Sequence, residues 1–188
     1  NTARQLKRYK KKTNLICAAN AICHIPNLTD LIKGLDILLD KKGVFIFEEP
    51  YLGSMYEKTS YDQIYDEHIF MFSISSVKKI FSKFGFELID VAPQTTHGGS
   101  MRYVVARKDE YKIKRIVYQK LKYEKKHNID SIKGCLRFKK ECEKSKKLLN
   151  NKIKKILKSG KNIAGYAATS KSTTILNYDT TSKTAYGP

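Results

Sequence analysis

Two kinds of apolar pattern alternate along the first hundred residues. "NLICAANA", residues 14–21, is a short apolar run of strand length. "NLTDLIKGLDILLDKKG" follows, with apolar positions at Leu28, Leu31, Ile32, Leu35, Leu38 and Leu39. Steps of three and four are helical spacing, and Lys-Lys-Gly reads as a C-terminal stop. "GVFIFEEPYL" is a second buried-type strand, ended at Pro50, which has no N–H for a ladder. "SISSVKKIFSKFGFELIDV" predicts a serine-capped helix, a turn at Gly85 and a third strand, and "SMRYVVARKD" a fourth. Strands separated by ten-residue helices predict an α/β layer architecture with a mostly parallel sheet. The last two strands, 86–91 and 100–107, have no helix between them and predict an antiparallel closing pair.

Beyond Lys108 the periodicity changes. Residues 111–127 and 130–158 predict two long, basic helices. "KNIAGYAATSKSTTILNY" then reads as strand, small-residue turn and helix, the opening of a second α/β unit. The organisation expected is therefore an α/β half-domain over 1–108, a basic helical connection over 109–160 and the start of another α/β domain over 161–188. Both ends fall inside patterns and read as cuts through a longer protein.

Charge alters this picture less than its size suggests. The formal net charge is +19 over 188 residues, a value that favours anionic partners. Most of the excess lies in 107–161, where lysines punctuate the expected helices, whereas 43–106 is close to balanced. A lysine-coated helix is ordinarily a solvated face, and the main aromatic candidates to stack on bases there are Tyr111, Tyr118 and Tyr123. A nucleic-acid-binding module is the rival reading; the expectation is no nucleic acid and no membrane, since no apolar run approaches ~18 residues. Cys17, Cys23, Cys135 and Cys142 make no C-x-x-C pair, and no His/Cys cluster has zinc spacing along the chain. Cys17 and Cys23 are expected to pack as small hydrophobes, in a reduced, cytoplasmic protein.

The chemistry concentrates in "YDQIYDEHIFMFS", residues 61–73. Asp66, Glu67 and His68 stand among Tyr61, Tyr65, Phe70 and Phe72, and charge in apolar company costs energy unless it is paired or used. Other polar residues fall at the expected carboxyl ends of strands, where open α/β sheets bind ligands. Asn20 and His24 follow the first strand, Glu48, Glu49 and Tyr51 the second, and His97 and Arg102 flank the last through "HGGSMRY". Histidine works as a general base near neutral pH, and a neighbouring carboxylate can orient it. His127, alone in a basic helix, is expected to be structural.

"NAICHIPNL", "FEEPYL", "YDQIYDEHIFMFS", "HGGSMRY" and "GYAATSKSTTILNY", in this order, resemble the S-adenosylmethionine-dependent sugar C-methyltransferases, over roughly residues 3–178. That family methylates nucleotide-linked keto-deoxysugars at carbon 3. The resemblance implies the C-terminal half of a Rossmann-like class I methyltransferase sheet, then the start of a second Rossmann-like domain. It implies S-adenosylmethionine as cofactor, with zinc confined to an N-terminal four-cysteine module that this chain lacks, as it lacks the glycine-rich cofactor loop. It further implies His68 as the base at carbon 3, Tyr65 and Glu67 orienting that base or binding the sugar, and His24 at the keto oxygen. Ala19 and Asn20 would border the cofactor. Tyr51, His97, Arg102, Ser170 and Lys171 would contact the nucleotide sugar, the last two at its diphosphate. Asp66 is expected to structure the loop or pair with a cation. A monomer is expected, inert as an isolated fragment, and a non-sugar acceptor stays open because fold does not fix the acceptor.

Overall fold

The structure, a computed structural model, describes residues 2–9, 12–166 and 169–178. The elements are α1 (Thr2–Tyr9), β1 (Thr13–Ala19), α2 (Leu28–Leu38), β2 (Leu39–Pro50), α3 (Leu52–Lys58), α4 (Ile74–Ser82), β3 (Phe86–Gln94), β4 (Ser100–Arg107), α5 (Arg115–His127), α6 (Ile132–Lys158) and α7 (Ser170–Tyr178). This is a mixed α/β architecture, built on a four-stranded sheet ordered β1-β2-β4-β3.

Connection length decides strand direction. β1 and β2 are joined through α2, which carries the chain back, and they pair in parallel from Leu15–Val44 to Ala19–Glu48. Only a short turn at Thr96–Gly98 joins β3 to β4, so that pair is antiparallel. β4 inserts between β2 and β3 and runs antiparallel to β2 as well, from Val44–Ala106 to Pro50–Ser100. The closing pair is thus as the pattern predicts, but the mostly parallel sheet is not: one of the three pairings is parallel. The insertion of β4 reverses the balance.

Local chemistry explains the element ends. Ser73 caps α4 reciprocally: its Oγ accepts the Ser76 N–H at 3.0 Å, and the Ser76 Oγ accepts the Ser73 N–H at 2.9 Å. Gly85 turns at φ +75°, a left-handed value that suits glycine. The expected stop of α2 at Lys-Lys-Gly does not occur. The helix ends at Leu38, and the Lys-Lys-Gly residues lie within β2. Gly43 is needed there because a Cβ would come within 2.8 Å of the Thr13 carbonyl oxygen.

The core gathers Ile32 and Leu35 from α2, Phe45 and Phe47 from β2, Val77 and Phe81 from α4, Tyr103 from β4 and Val117 from α5. Phe47 stacks on Phe45 at 5.0 Å and on Tyr103 at 4.9 Å between ring centroids. Cys23 belongs to this core, but Cys17 is exposed on the β1 edge, contrary to its expected packing. No strand forms over 161–166, where one was expected, because no described strand lies alongside to take its hydrogen bonds. Ala167 and Ala168, in the expected small-residue turn, fall outside the described residues. Among the described residues no helix is long and apolar enough to cross a membrane.

Candidate active site

The site is built on the turn after β1. Asn20 takes a left-handed conformation, φ +49°, and its N–H donates to the Glu48 carbonyl at 2.9 Å. Glu49, fully buried on β2, then accepts the Ala21 N–H at 3.0 Å and the Ile22 N–H at 2.6 Å through Oε1. These bonds hold the 3-10 turn Ile22–His24 against the strand end. The Cys23 carbonyl accepts the N–H groups of Ile69 at 3.0 Å and Phe70 at 3.2 Å, which ties the 61–73 segment to the same turn. His24 and His68 are thereby brought together, with ring centroids 5.2 Å apart.

Hydrogen bonds fix the protons on both rings. The His68 Nδ1 lies 2.8 Å from the Gln63 carbonyl oxygen, which can only accept, so Nδ1 carries the hydrogen. The Nε2 lone pair then accepts the Tyr65 hydroxyl at 2.7 Å. Burial lowers the His68 pKa from its ordinary value, and Lys171 and His24 push the same way against the Gln63 carbonyl and Glu49. Burial, with Glu67, raises that of Tyr65. The dyad is therefore a neutral imidazole facing a protonated phenol. His24 Nδ1 donates to the Glu67 carbonyl at 2.6 Å, so its Nε2 is bare when the ring is neutral and a donor only when the ring is charged.

A second polar group lies beside the first. Asn20 Nδ2 and His97 Nε2 are 3.3 Å apart, and Arg102 pairs with Glu48 at 3.0 Å while the Thr96 hydroxyl donates to Glu48 at 2.8 Å. Gln63 links the two groups, since its Nε2 donates to the His97 carbonyl at 2.8 Å while its own carbonyl holds His68. A cleft of about 400 Å³ separates Tyr65 and Asp66 from Ser170, Thr173, Thr174 and Asn177 of α7. Thr174 anchors that helix by donating to the Ile64 carbonyl at 2.9 Å, and Ser170 and Lys171 form its first turn.

Most of the expected site residues converge, with exceptions. Glu67 is exposed and contributes its carbonyl, rather than its carboxylate, to His24. Asp66 is exposed too and makes no ion pair among the described residues. Tyr51 is buried, its hydroxyl donating to Glu124 at 3.0 Å, so its hydroxyl serves the core rather than a substrate. Ala19 and Asn20 are exposed at the end of β1. Among the described residues the buried carboxylates are Glu49, which sequence reasoning placed only among the polar residues at the strand end, and Glu124, which it passed over. Residues 45, 47 and 49 share one face of β2, so alternation alone placed Glu49 inward beside Phe45 and Phe47. Gln63 was missed as well; nothing in its local sequence marks it.

Comparison with known proteins gives family matches for both parts of the chain. Residues 2–91 match the methyltransferase domain family, and residues 95–185 match the C-methyltransferase C-terminal domain family. C-methyltransferase NovU of Streptomyces niveus is 26% identical over 163 residues, which cover 86% of this chain and 39% of that protein. The chain thus spans about two fifths of that relative's length. A SAM-dependent methyltransferase structure from Anabaena variabilis overlaps 56% of this chain and 54% of its own, at 20% identity and a TM-score of 0.39. Each of its two segments is thus similar to a methyltransferase family, and together the two matches span most of the chain.

Proposed function

We propose that the protein carrying this chain is an S-adenosylmethionine-dependent C-methyltransferase acting at carbon 3 of a nucleotide-linked 4-keto-deoxysugar, with His68 as general base. The observation that carries this reading is the His68 ring itself. Its Nδ1–H is committed to the Gln63 carbonyl, so the free lone pair sits on Nε2, in a half-buried site that keeps the ring neutral. A hydrogen on a carbon next to a ketone is acidic enough for such a base, provided the enolate oxygen meets a donor. Tyr65 occupies the lone pair in the resting site and releases it to the sugar. The carbon 3 proton passes to Nε2, its electron pair moves into the C3–C4 bond, and negative charge collects on the keto oxygen. For His24 to donate to that oxygen it must carry a hydrogen on Nε2, because its Nδ1–H is already given to Glu67.

S-adenosylmethionine, when bound, supplies an electrophilic sulfonium methyl. The exposed Ala19 and Asn20 at the end of β1 fit one edge of it. Ser170 and Lys171, in the first turn of α7 beside the Tyr65–Asp66 cleft, are suited to the sugar's diphosphate, since helix N-termini and lysines both favour phosphate. His97 and Arg102 lie in the second polar group, which Gln63 links to His68. The curated relative's description as a C-methyltransferase supports the reaction type.

Incubating the protein that carries this chain with the cofactor and a 4-keto-6-deoxyhexose nucleotide should yield a sugar bearing a new methyl on carbon 3. Methylation of another carbon or of a non-sugar acceptor would overturn the substrate assignment. Salt-sensitive binding to generic DNA with no methyl transfer would favour the nucleic-acid reading instead.

A further inference from the structure

The folded chain also assembles a donor set that its linear spacing hides. One ligand atom from each of Cys23, His24 and His68 lies within 4.8 Å of the other two. Cys23 is buried, while the two histidines are half-buried. Both histidines donate Nδ1–H to backbone carbonyls, those of Glu67 and Gln63, as metal-bound histidines commonly do. That arrangement puts the lone pair of each neutral ring on Nε2, where His68's now holds the Tyr65 hydroxyl that a metal would displace. The backbone bonds from Ile69 and Phe70 to the Cys23 carbonyl hold the three residues in register before anything binds. Beside them Oε2 of Glu49 is buried and without a hydrogen-bond partner.

We propose that Cys23, His24 and His68 form a three-ligand site for a borderline-soft divalent cation, Zn2+ above all, whose occupancy shuts off the proton chemistry of His68. One thiolate and two imidazoles are a zinc donor set, and three protein ligands leave a fourth position open. Tetrahedral zinc, with bonds of about 2.0–2.3 Å, needs its donors roughly 3.5 Å apart, so the cluster must contract by about an ångström. Binding forms one S–Zn and two N–Zn bonds, sends the Cys23 thiol proton to solvent and displaces the Tyr65 hydroxyl from Nε2. Burial and the neighbouring Glu49 push the free thiol up to about 12, so without a cation the cysteine stays a thiol. The inhibitory part rests on the base role given to His68; the site itself does not.

Cobalt substitution tests the site on this chain without sugar or cofactor. Co2+ should bind once per chain and give a thiolate charge-transfer band with the visible bands of tetrahedral cobalt, and Zn2+ should remove both. Cys23→Ser should abolish the charge-transfer band, His24→Asn should weaken Co2+ binding at least tenfold, and Cys135→Ser, at an exposed cysteine, should leave the spectrum unchanged. Circular dichroism of each variant checks that it is folded, and Cys23→Ala stands in if the serine variant is not. Absence of the band in the wild-type chain, or its survival in folded Cys23→Ser, would overturn the site. In the protein carrying this chain, Zn2+ should suppress carbon 3 proton exchange, and Cys23→Ser should relieve that suppression. Normal exchange at saturating Zn2+ with the cobalt band present would overturn the inhibition while leaving the site. Loss of the band with exchange intact in Cys23→Ser separates the metal site from the base.

Discussion

Oε1 of Glu49 accepts the Ile22 N–H at 2.6 Å, and this bond sets where His24 stands two residues later. Glu49 is completely buried, yet its two backbone bonds fall on one oxygen while the other has no hydrogen-bond partner. A strand residue is thus the anchor of the turn that carries the site.

Glu49→Ala should therefore cost stability and misplace His24 together. Removing the acceptor leaves two N–H groups unpaired, a loss of about 2–4 kcal/mol. A urea titration would read it as a lower midpoint at unchanged slope. Glu49→Gln keeps an acceptor for both N–H groups and should lose less than half as much.

Glu124 plays the matching part for α4. It accepts the Tyr51 hydroxyl at 3.0 Å and the Ile74 and Ser75 N–H groups at 2.7 and 2.9 Å, in the first turn of that helix. Glu124→Ala should destabilise the chain by about 3 kcal/mol, since it unpairs three donors, two of them buried, and removes a charge favoured at a helix N-terminus. Tyr51→Phe should cost only about 1 kcal/mol, the net worth of one hydrogen bond. If the two variants cost the same by thermal melting, the helix-capping role of Glu124 fails.

Gly134 is a packing position rather than a flexible one. An added Cβ would collide with the Asn128 carbonyl oxygen, where α6 begins against the turn after α5. Gly134→Ala should lower stability by about 1–3 kcal/mol despite the better helix propensity of alanine. Gly85, with nothing within 4 Å of its Cβ position, should lose stability through backbone strain alone.

Tyr65→Phe separates orientation from proton removal. The phenyl ring can keep its contact with His68, whose centroid lies 4.0 Å away, but the hydrogen bond to Nε2 is gone. Exchange of the sugar's carbon 3 proton should slow by about tenfold, the kinetic value of roughly 1.4 kcal/mol. A loss as deep as that of a His68 variant would move the base role to the tyrosine.

Much of this was legible from pattern. Apolar runs gave the four strands, Ser73 marked the start of α4, and the order of motifs pointed to His24, Tyr65 and His68. What failed to show has physical causes. β4 sits between β2 and β3 because of long-range pairing, which no local window contains. Glu124 lies on the same face of α5 as Val117 and Leu121, so its burial follows from helical spacing, but a carboxylate there reads as solvent-facing until its three donors are seen. The Cys23, His24 and His68 cluster spans two segments far apart in the chain, joined by the backbone bonds to the Cys23 carbonyl and the His24–Glu67 bond. Asp66 and Glu67, whose apolar neighbours suggested partial burial, are exposed, while Phe72 from the same segment enters the core.

The measurement closest to the central claim is solvent deuterium exchange at carbon 3 of the 4-keto sugar, without cofactor, in the protein that carries this chain. Exchange reports proton removal alone. His68→Asn keeps a similar shape but cannot take the proton, so exchange should fall by about 100- to 10,000-fold, with sugar binding retained. Near-normal exchange in a folded His68→Asn variant would contradict the assignment and turn the search for the base to His97.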